Sequence, residues 1–323
     1  MYLLKKIADP GIFQGRNKRR NYFEGWYYKL IDSRMENVLA LIPGISMDKT
    51  GNDPHAFLQV MDVSRSRVRY LRYDLTAFRF NPNRFEVEIG DNYFSERDIC
   101  LDISSDELTV KGRLTFENII PYPKTLFRPG IMGPYSFIPF MECYHGIVNI
   151  HHEISGQLVI CGEEADFSKG YGYIEKDWGC SFPEAWIWLQ SNHFNAGDVS
   201  LMFSVAKIPW MAKYFIGFIS FIRIRDRMFH FATYTRAEIV SLSYKDNILS
   251  AVLADRHMQM EITARHSTGG ILKAPKNGLM SREILESITA VVEVKLADKS
   301  GNTVFEGEGL NTGLEIAGDI FHY

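Results

Sequence analysis

The stretch FEVEIGDNYFSERDICLDISSDELTVKGRLTF, residues 85–116, decides the fold. Within it FEVEI (85–89), DICLDI (98–103), ELTV (107–110) and GRLTF (112–116) alternate apolar and polar side chains. Turn formers separate them: NPN (81–83) stands before the first, and GDN (90–92) and SSD (104–106) stand between the others. A period of two, broken by turns every ~8–12 residues, predicts antiparallel β structure. IWLQSNHF, VSLMFSV, FIGFISFIRI, RMFHFATY, EIVSLSY and ITAVVEVKL carry the same signal through the second half. Two short segments read as helical, LMSREIL (279–285) and KIPWMAKY (207–214).

The chain has 323 residues, beyond the ~250 at which a single core stops growing, so two domains are expected. The polar stretch CGEEADFSKGYG (161–172) is the seam, giving domains 1–162 and 163–323. Each is predicted to be an antiparallel β-barrel or sandwich with few short helices. A barrel of roughly 8–10 strands holds one small apolar ligand. The segment IIPYPKTLFRPGIMGPYSFIPF (119–140) contains five of the twelve prolines, too many for central strands, and reads as a long crossover or a lid.

Composition excludes several classes. The net charge is −3 and no basic stripe occurs; RNKRR (16–20) and RSRVRYLR (65–72) suit a solvated loop and a strand's outer face. No nucleic-acid partner is expected. Cys100, Cys143, Cys161 and Cys180 form no C-x-x-C pair. No signal peptide is read, so reduced thiols and a cytoplasmic location are expected. Arg223 and Arg225 interrupt YFIGFISFIRI (214–224) well short of the ~20 residues of a span. G-x-S-x-G, Walker, G-x-G-x-x-G and H-E-x-x-H motifs are absent.

EKDWGCSFPEAWIWLQSNHF (175–194) holds three of the five tryptophans. Strand parity puts Trp186, Trp188, Gln190 and Asn192 on one face, an aromatic wall ending in two amides. Such a wall is a ligand surface, or two tryptophans packed in a core. Glu175 and Asp177 precede a turn ended by Pro183. Carboxyls desolvated beside aromatics hold a proton near neutrality and serve as general acids; a salt bridge at a strand end is the alternative. MECYHGIVNIHHEISGQL (141–158) has three histidines. His145 and His151 fall ~20 Å apart along a strand, and His145 and His152 take opposite faces unless Gly146 marks a bulge. No metal is expected there; His145 suits a polar pocket group or proton relay. In NYFEGWYYKLID (21–32) Glu24 alternates with Trp26, again an acid beside an aromatic, in a ligand pocket or in a strand sealing a barrel.

Together these segments resemble the tocopherol cyclase family. The shared blocks are NYFEGWYYKL, PYSFIPFMECYHGIVNIHHEISG, EKDWGCSFPEAWIWLQSNHF and NTGLEIAG (311–318), with LKAPKNGLM (272–280) as a fifth. The resemblance implies two lipocalin-like β domains and a cofactor-free, metal-free reaction. In it the phenol oxygen of a prenylated hydroquinone adds across the nearest double bond of its isoprenoid tail, closing a chromanol ring. For such a reaction Glu175 and Asp177 are the candidate acids, with Glu142 or Glu24 as alternates, and His145 would bind the quinol hydroxyls together with Gln190 and Asn192. Trp26, Glu142, Tyr144, Trp178, Trp186, Trp188, Gln190 and Asn192 would line the substrate, the tryptophans facing positive charge and the amides the quinol hydroxyls. Plant members usually carry asparagine where Asp177 stands, so the resemblance does not itself make Asp177 the acid. The expected partner is a small hydrophobic or prenylated aromatic ligand, with peripheral membrane contact through Trp210 and its flanking Lys207 and Lys213. A lipid carrier without catalysis, or a hydratase using water in place of the phenol, would use the same pocket.

Overall fold

The computed structural model describes residues 6, 7, 9–210 and 213–321. The first sheet takes twelve strands: β1 (Tyr22–Ile31), β2 (Val38–Met47), β3 (His55–Asp62), β4 (Arg67–Asp74), β5 (Phe78–Phe80), β6 (Glu86–Ile89), β7 (Asn92–Ser95), β8 (Asp98–Ser104), β9 (Thr109–Pro121), β10 (Cys143–Ile160), β11 (Glu163–Asp166) and β12 (Gly170–Gly179). The second takes eleven: β13 (Trp186–Ser191), β14 (His193–Phe194), β15 (Val199–Trp210), β16 (Lys213–Ile224), β17 (Arg227–Ala232), β18 (Glu238–Lys245), β19 (Ile248–Ala254), β20 (Met258–Arg265), β21 (Gly270–Lys276), β22 (Leu279–Asp298) and β23 (Thr303–Ala317). Three short 3₁₀ segments interrupt them at Leu75–Ala77, Gly133–Phe137 and Thr233–Thr235.

Alternation in the sequence becomes alternation in space. Phe85, Val87, Ile89, Ile99, Leu101, Ile103, Val110, Leu114 and Phe116 all point into one apolar core, which also holds Trp26, Tyr28 and Ile174. Each large apolar side chain removed from water contributes about 1.5–3 kcal/mol. The sheet order β4-β3-β2-β1-β12-β10-β9-β8-β7-β6-β5 curls this sheet into a nearly closed barrel. A separate core, with Ile187, Leu189, Phe203, Phe221's neighbour Ile222 and Leu314, fills the second unit.

The compact units are residues 1–182 with 272–283, and residues 183–271 with 284–323. The division therefore falls at 182/183 and not at the 162/163 seam. The seam is the tight turn of the β10–β11 hairpin, where Ile160 pairs with Glu163, and β12 then pairs with both β10 and β1. The hairpin of LKAPKNGLM belongs to the first unit: Gln59 Nε2 donates to the Lys273 carbonyl (2.9 Å) and Ser46 Oγ to the Gly278 carbonyl (2.8 Å).

Neither expected helix forms. Residues 279–285 open the long strand β22, and residues 207–210 and 213–214 belong to the β15 and β16 hairpin, with Trp210 opposite Lys213. In both, an antiparallel neighbour supplies a backbone ladder, β16 for β15 and β21 for β22, that outweighs weak local helix preference. The proline-rich 119–140 segment is no crossover, because it joins β9 to its direct antiparallel neighbour β10.

Candidate active site

Glu175 and Asp177 lie within strand β12, ahead of the turn, and strand parity sets their fate. Tyr173, Glu175 and Asp177 point away from the barrel core; Ile174, Lys176 and Trp178 point toward it. Across the sheet, β10 places His145 opposite Asp177 and Ile147 opposite Glu175. The bulge of β10 lies after Ile147, not at Gly146, so His145 keeps regular register with both acids.

All three sequence-derived catalytic candidates therefore meet. His145 Nδ1 is 2.9 Å from Asp177 Oδ1, and its Nε2 is 3.5 Å from Glu175 Oε2. The imidazole thus stands between two carboxylates, one at each ring nitrogen. Tyr173 Oη donates to Glu175 Oε2 at 2.5 Å. Burial, then the adjacent Glu175 carboxylate, pushes the Tyr173 phenol well above 10, so it stays a donor. Cys143 Sγ lies 4.0 Å from Asp177 Oδ1; burial and then that carboxylate raise its pKa, keeping it a thiol. Asp177 is the more open acid, with 23% of its side chain exposed against 5% for Glu175. The ligand atoms of His145, Glu175 and Asp177 all lie within 4.8 Å of one another. One nitrogen and two oxygens at that spacing also suit a divalent cation.

The core-facing side of the same strand holds a second cluster. Lys176 Nζ is 2.5 Å from Glu24 Oε1 and donates to the carbonyls of Pro10 (2.9 Å) and Ile12 (2.6 Å). It sits 4.6 Å from the Trp26 ring and 5.0 Å from the Trp178 ring. Glu24 further accepts from Gln14 N (2.8 Å), Gly15 N (2.9 Å) and Tyr22 Oη (2.5 Å). Burial pushes Lys176 down to about 8, against the pull of Glu24. Trp26 also stacks on Phe85, and Trp178 on Tyr144, at centroid distances of 5.5 Å in each pair. The aromatic faces of Trp26 and Trp178 thus meet the protein's own cation, on the opposite side of the sheet from Glu175 and Asp177. Glu24, with its oxygens engaged by lysine, tyrosine and backbone, is a structural carboxylate. The Glu142 carbonyl accepts from Cys180 N at 2.8 Å. Gly179 has φ +154°, and a Cβ there would stand 2.2 Å from the same oxygen.

In the second unit, Trp186, Trp188 and Gln190 share one face of β13, opposite Ile187 and Leu189, which enter the core. All three are buried. Trp186 Nε1 donates to Glu315 Oε2 at 2.7 Å. Trp188 lies across Gly313, where a Cβ would meet its ring at 2.5 Å, which explains the glycine of NTGLEIAG. Asn192 falls beyond the strand and its Oδ1 is 3.0 Å from His193 Nδ1. The other two histidines of 145–152 go elsewhere. His151 packs on the Tyr171 ring, and the buried His152 bonds Asn149 Oδ1 at 2.8 Å.

Tyr173, Lys176 and Glu315 are among the residues of these arrangements that the sequence-derived candidates do not include. Strand parity is the signal that finds Tyr173, two places before Glu175 on the same face. Lys176 and Glu315 needed the register with β1 and β13.

The chain belongs to the tocopherol cyclase-like family, whose sequence profile matches residues 107–318, well over half its length. A probable chloroplastic tocopherol cyclase of Oryza sativa subsp. japonica is 35% identical over 65 residues, which is 20% of this chain and 14% of that protein. A chloroplastic tocopherol cyclase of Zea mays is 37% identical over 65 residues, with the same shares. The match thus spans about a seventh of these plant relatives. Two solved structures share the fold. A putative AttH from Nitrosomonas europaea has a TM-score of 0.52 and 14% identity, over 94% of each chain. CghA, solved with Sch210972, has a TM-score of 0.53 and 10% identity, over 92% of this chain and 89% of its own. Among the described residues, no helix is long and apolar enough to cross a membrane.

Proposed function

We propose that this protein is a cofactor-free cyclase in which His145, Glu175 and Asp177 move a proton onto an isoprenoid double bond. The single observation that carries the reading is the imidazole of His145 held between two carboxylates on one face of the first sheet. The substrate class is a prenylated hydroquinone or a related prenylated phenol, supported by family membership. Asp177, the more open carboxyl, delivers its proton to the less substituted alkene carbon. The tertiary carbocation left behind is captured by the phenol oxygen, forming the C–O bond of the new ring. The phenol proton returns through His145 to Asp177, so the reaction is an isomerisation with no net proton change. Glu175, fixed by Tyr173 Oη, anchors the far nitrogen of His145. General acid catalysis of this kind contributes about 10²–10⁴-fold.

The test is chromatographic turnover of prenyl-hydroquinones in D₂O, with and without chelator. One deuterium is expected on the protonated carbon, with a rate indifferent to chelator. Asp177→Asn is expected to lower kcat about 10²–10⁴-fold while ligand Kd stays within a few-fold. Tight binding of the hydroquinone by the unaltered protein with no conversion would instead define a carrier. Loss of turnover with chelator would assign the three residues to a metal.

A further inference from the structure

We propose that the β9–β10 segment is a membrane-docking element that seats Leu126, Phe127, Phe137 and Phe140 in an anionic lipid bilayer surface. Leu126, Phe127 and Phe140 are the three most exposed large apolar side chains among the described residues, at 83%, 80% and 96%, and Phe137 is half exposed. All four lie within fifteen consecutive residues, whereas a soluble surface scatters such groups singly.

Local geometry presents them outward. Thr125 and Arg128 close a tight turn by two backbone hydrogen bonds, Thr125 N to Arg128 O at 2.8 Å and Arg128 N to Thr125 O at 3.1 Å. Leu126 and Phe127 occupy its two central positions, where glycine, proline, asparagine and aspartate are the usual residues. Phe140 adopts φ +64°. A bulky residue in that conformation costs about 1–3 kcal/mol, and here the strain projects a nearly naked aromatic ring into solvent.

Charge favours one occupant. Lys124 and Arg128 flank the turn, and residues 118–141 contain no aspartate or glutamate. Exposed apolar side chains at a turn with a cation on either side in sequence match the acyl boundary and anionic headgroups of a bilayer. The base of the segment is fixed to the strand that carries His145. Tyr144 Oη donates to the Ile138 carbonyl at 2.7 Å, and His145 N lies 3.1 Å from Met132 Sδ. The exposed apolar side chains and the acid–histidine cluster thus lie on one continuous segment of chain.

Co-sedimentation with phosphatidylcholine vesicles, with and without phosphatidylglycerol, tests the inference. The protein is expected to bind the vesicles that contain phosphatidylglycerol. The double change Leu126→Ser, Phe127→Ser should weaken binding at least about tenfold. Lys124→Gln with Arg128→Gln should weaken it roughly fivefold per charge, only on anionic vesicles. Trp210→Ala should leave it unchanged. Absence of vesicle binding, retention of binding by the serine variant, or loss of it on Trp210→Ala alone would overturn the assignment. So would a dimer in solution that the serine variant dissociates. Turnover of detergent-dispersed substrate should be equal in the serine variant and the parent, so failure of docking and failure of the proposed chemistry are read separately.

Discussion

The two faces of β12 carry the same kinds of groups and put them to opposite uses. On the core face, Lys176 and Glu24 are fully buried and knitted to backbone and tyrosine partners. On the other face, His145, Glu175 and Asp177 form a cluster with one carboxyl partly open. Four consecutive residues, Glu175 to Trp178, thus supply two sites whose chemistry never mixes, because adjacent strand residues point to opposite sides of the sheet. A closed cation–carboxylate pair fixes structure; an open one can exchange a proton.

Lys176→Met tests the contrast most severely. It leaves Glu24 charged and buried, and stability should fall by about 3–5 kcal/mol in denaturant unfolding. Asp177→Asn on the other face keeps an amide oxygen beside His145 and should change stability less, by about 0.5–1.5 kcal/mol. Equal losses would mean that both clusters are structural. Tyr173→Phe is expected to cost about 1.5–3 kcal/mol, the worth of a hydrogen bond to a carboxylate, and to lower kcat by loosening Glu175. A normal kcat with lowered stability would reduce Glu175 to a packing role.

The smallest effect concerns pH. Burial, with a lesser push from His151, holds His152 well below 6.5. Below pH about 6.5 the unfolded chain takes a proton there that the native state refuses, so stability declines as pH falls. His152→Gln should flatten the fall in Tm between pH 7 and pH 5; an unchanged slope would place the acid sensitivity elsewhere.

Much of this was legible in the sequence. The alternation of FEVEI and DICLDI became core-facing strands residue for residue. The parity of Trp186, Trp188 and Gln190 held. His145, Glu175 and Asp177 were candidates before any register was known. Hidden from the sequence was which neighbour each polar group would meet. Trp178 reads as a companion of Asp177 until the pleat turns it toward Lys176. Glu24 reads as an acid beside Trp26 until β12 brings a lysine to it. Those pairings are cross-strand, and register between distant strands is set by the whole sheet, not by the local pattern.

The Lys176 clasp also bears on the order of folding. Its bonds to Pro10 and Ile12 span 166 and 164 residues. During synthesis Glu24 and the 10–15 segment emerge long before the lysine that will hold them, so the first barrel cannot be sealed until β12 has left the ribosome. Contacts of such long sequence separation are closed late and slowly. The N-terminal segment is the first part of the barrel to be made and among the last to be locked.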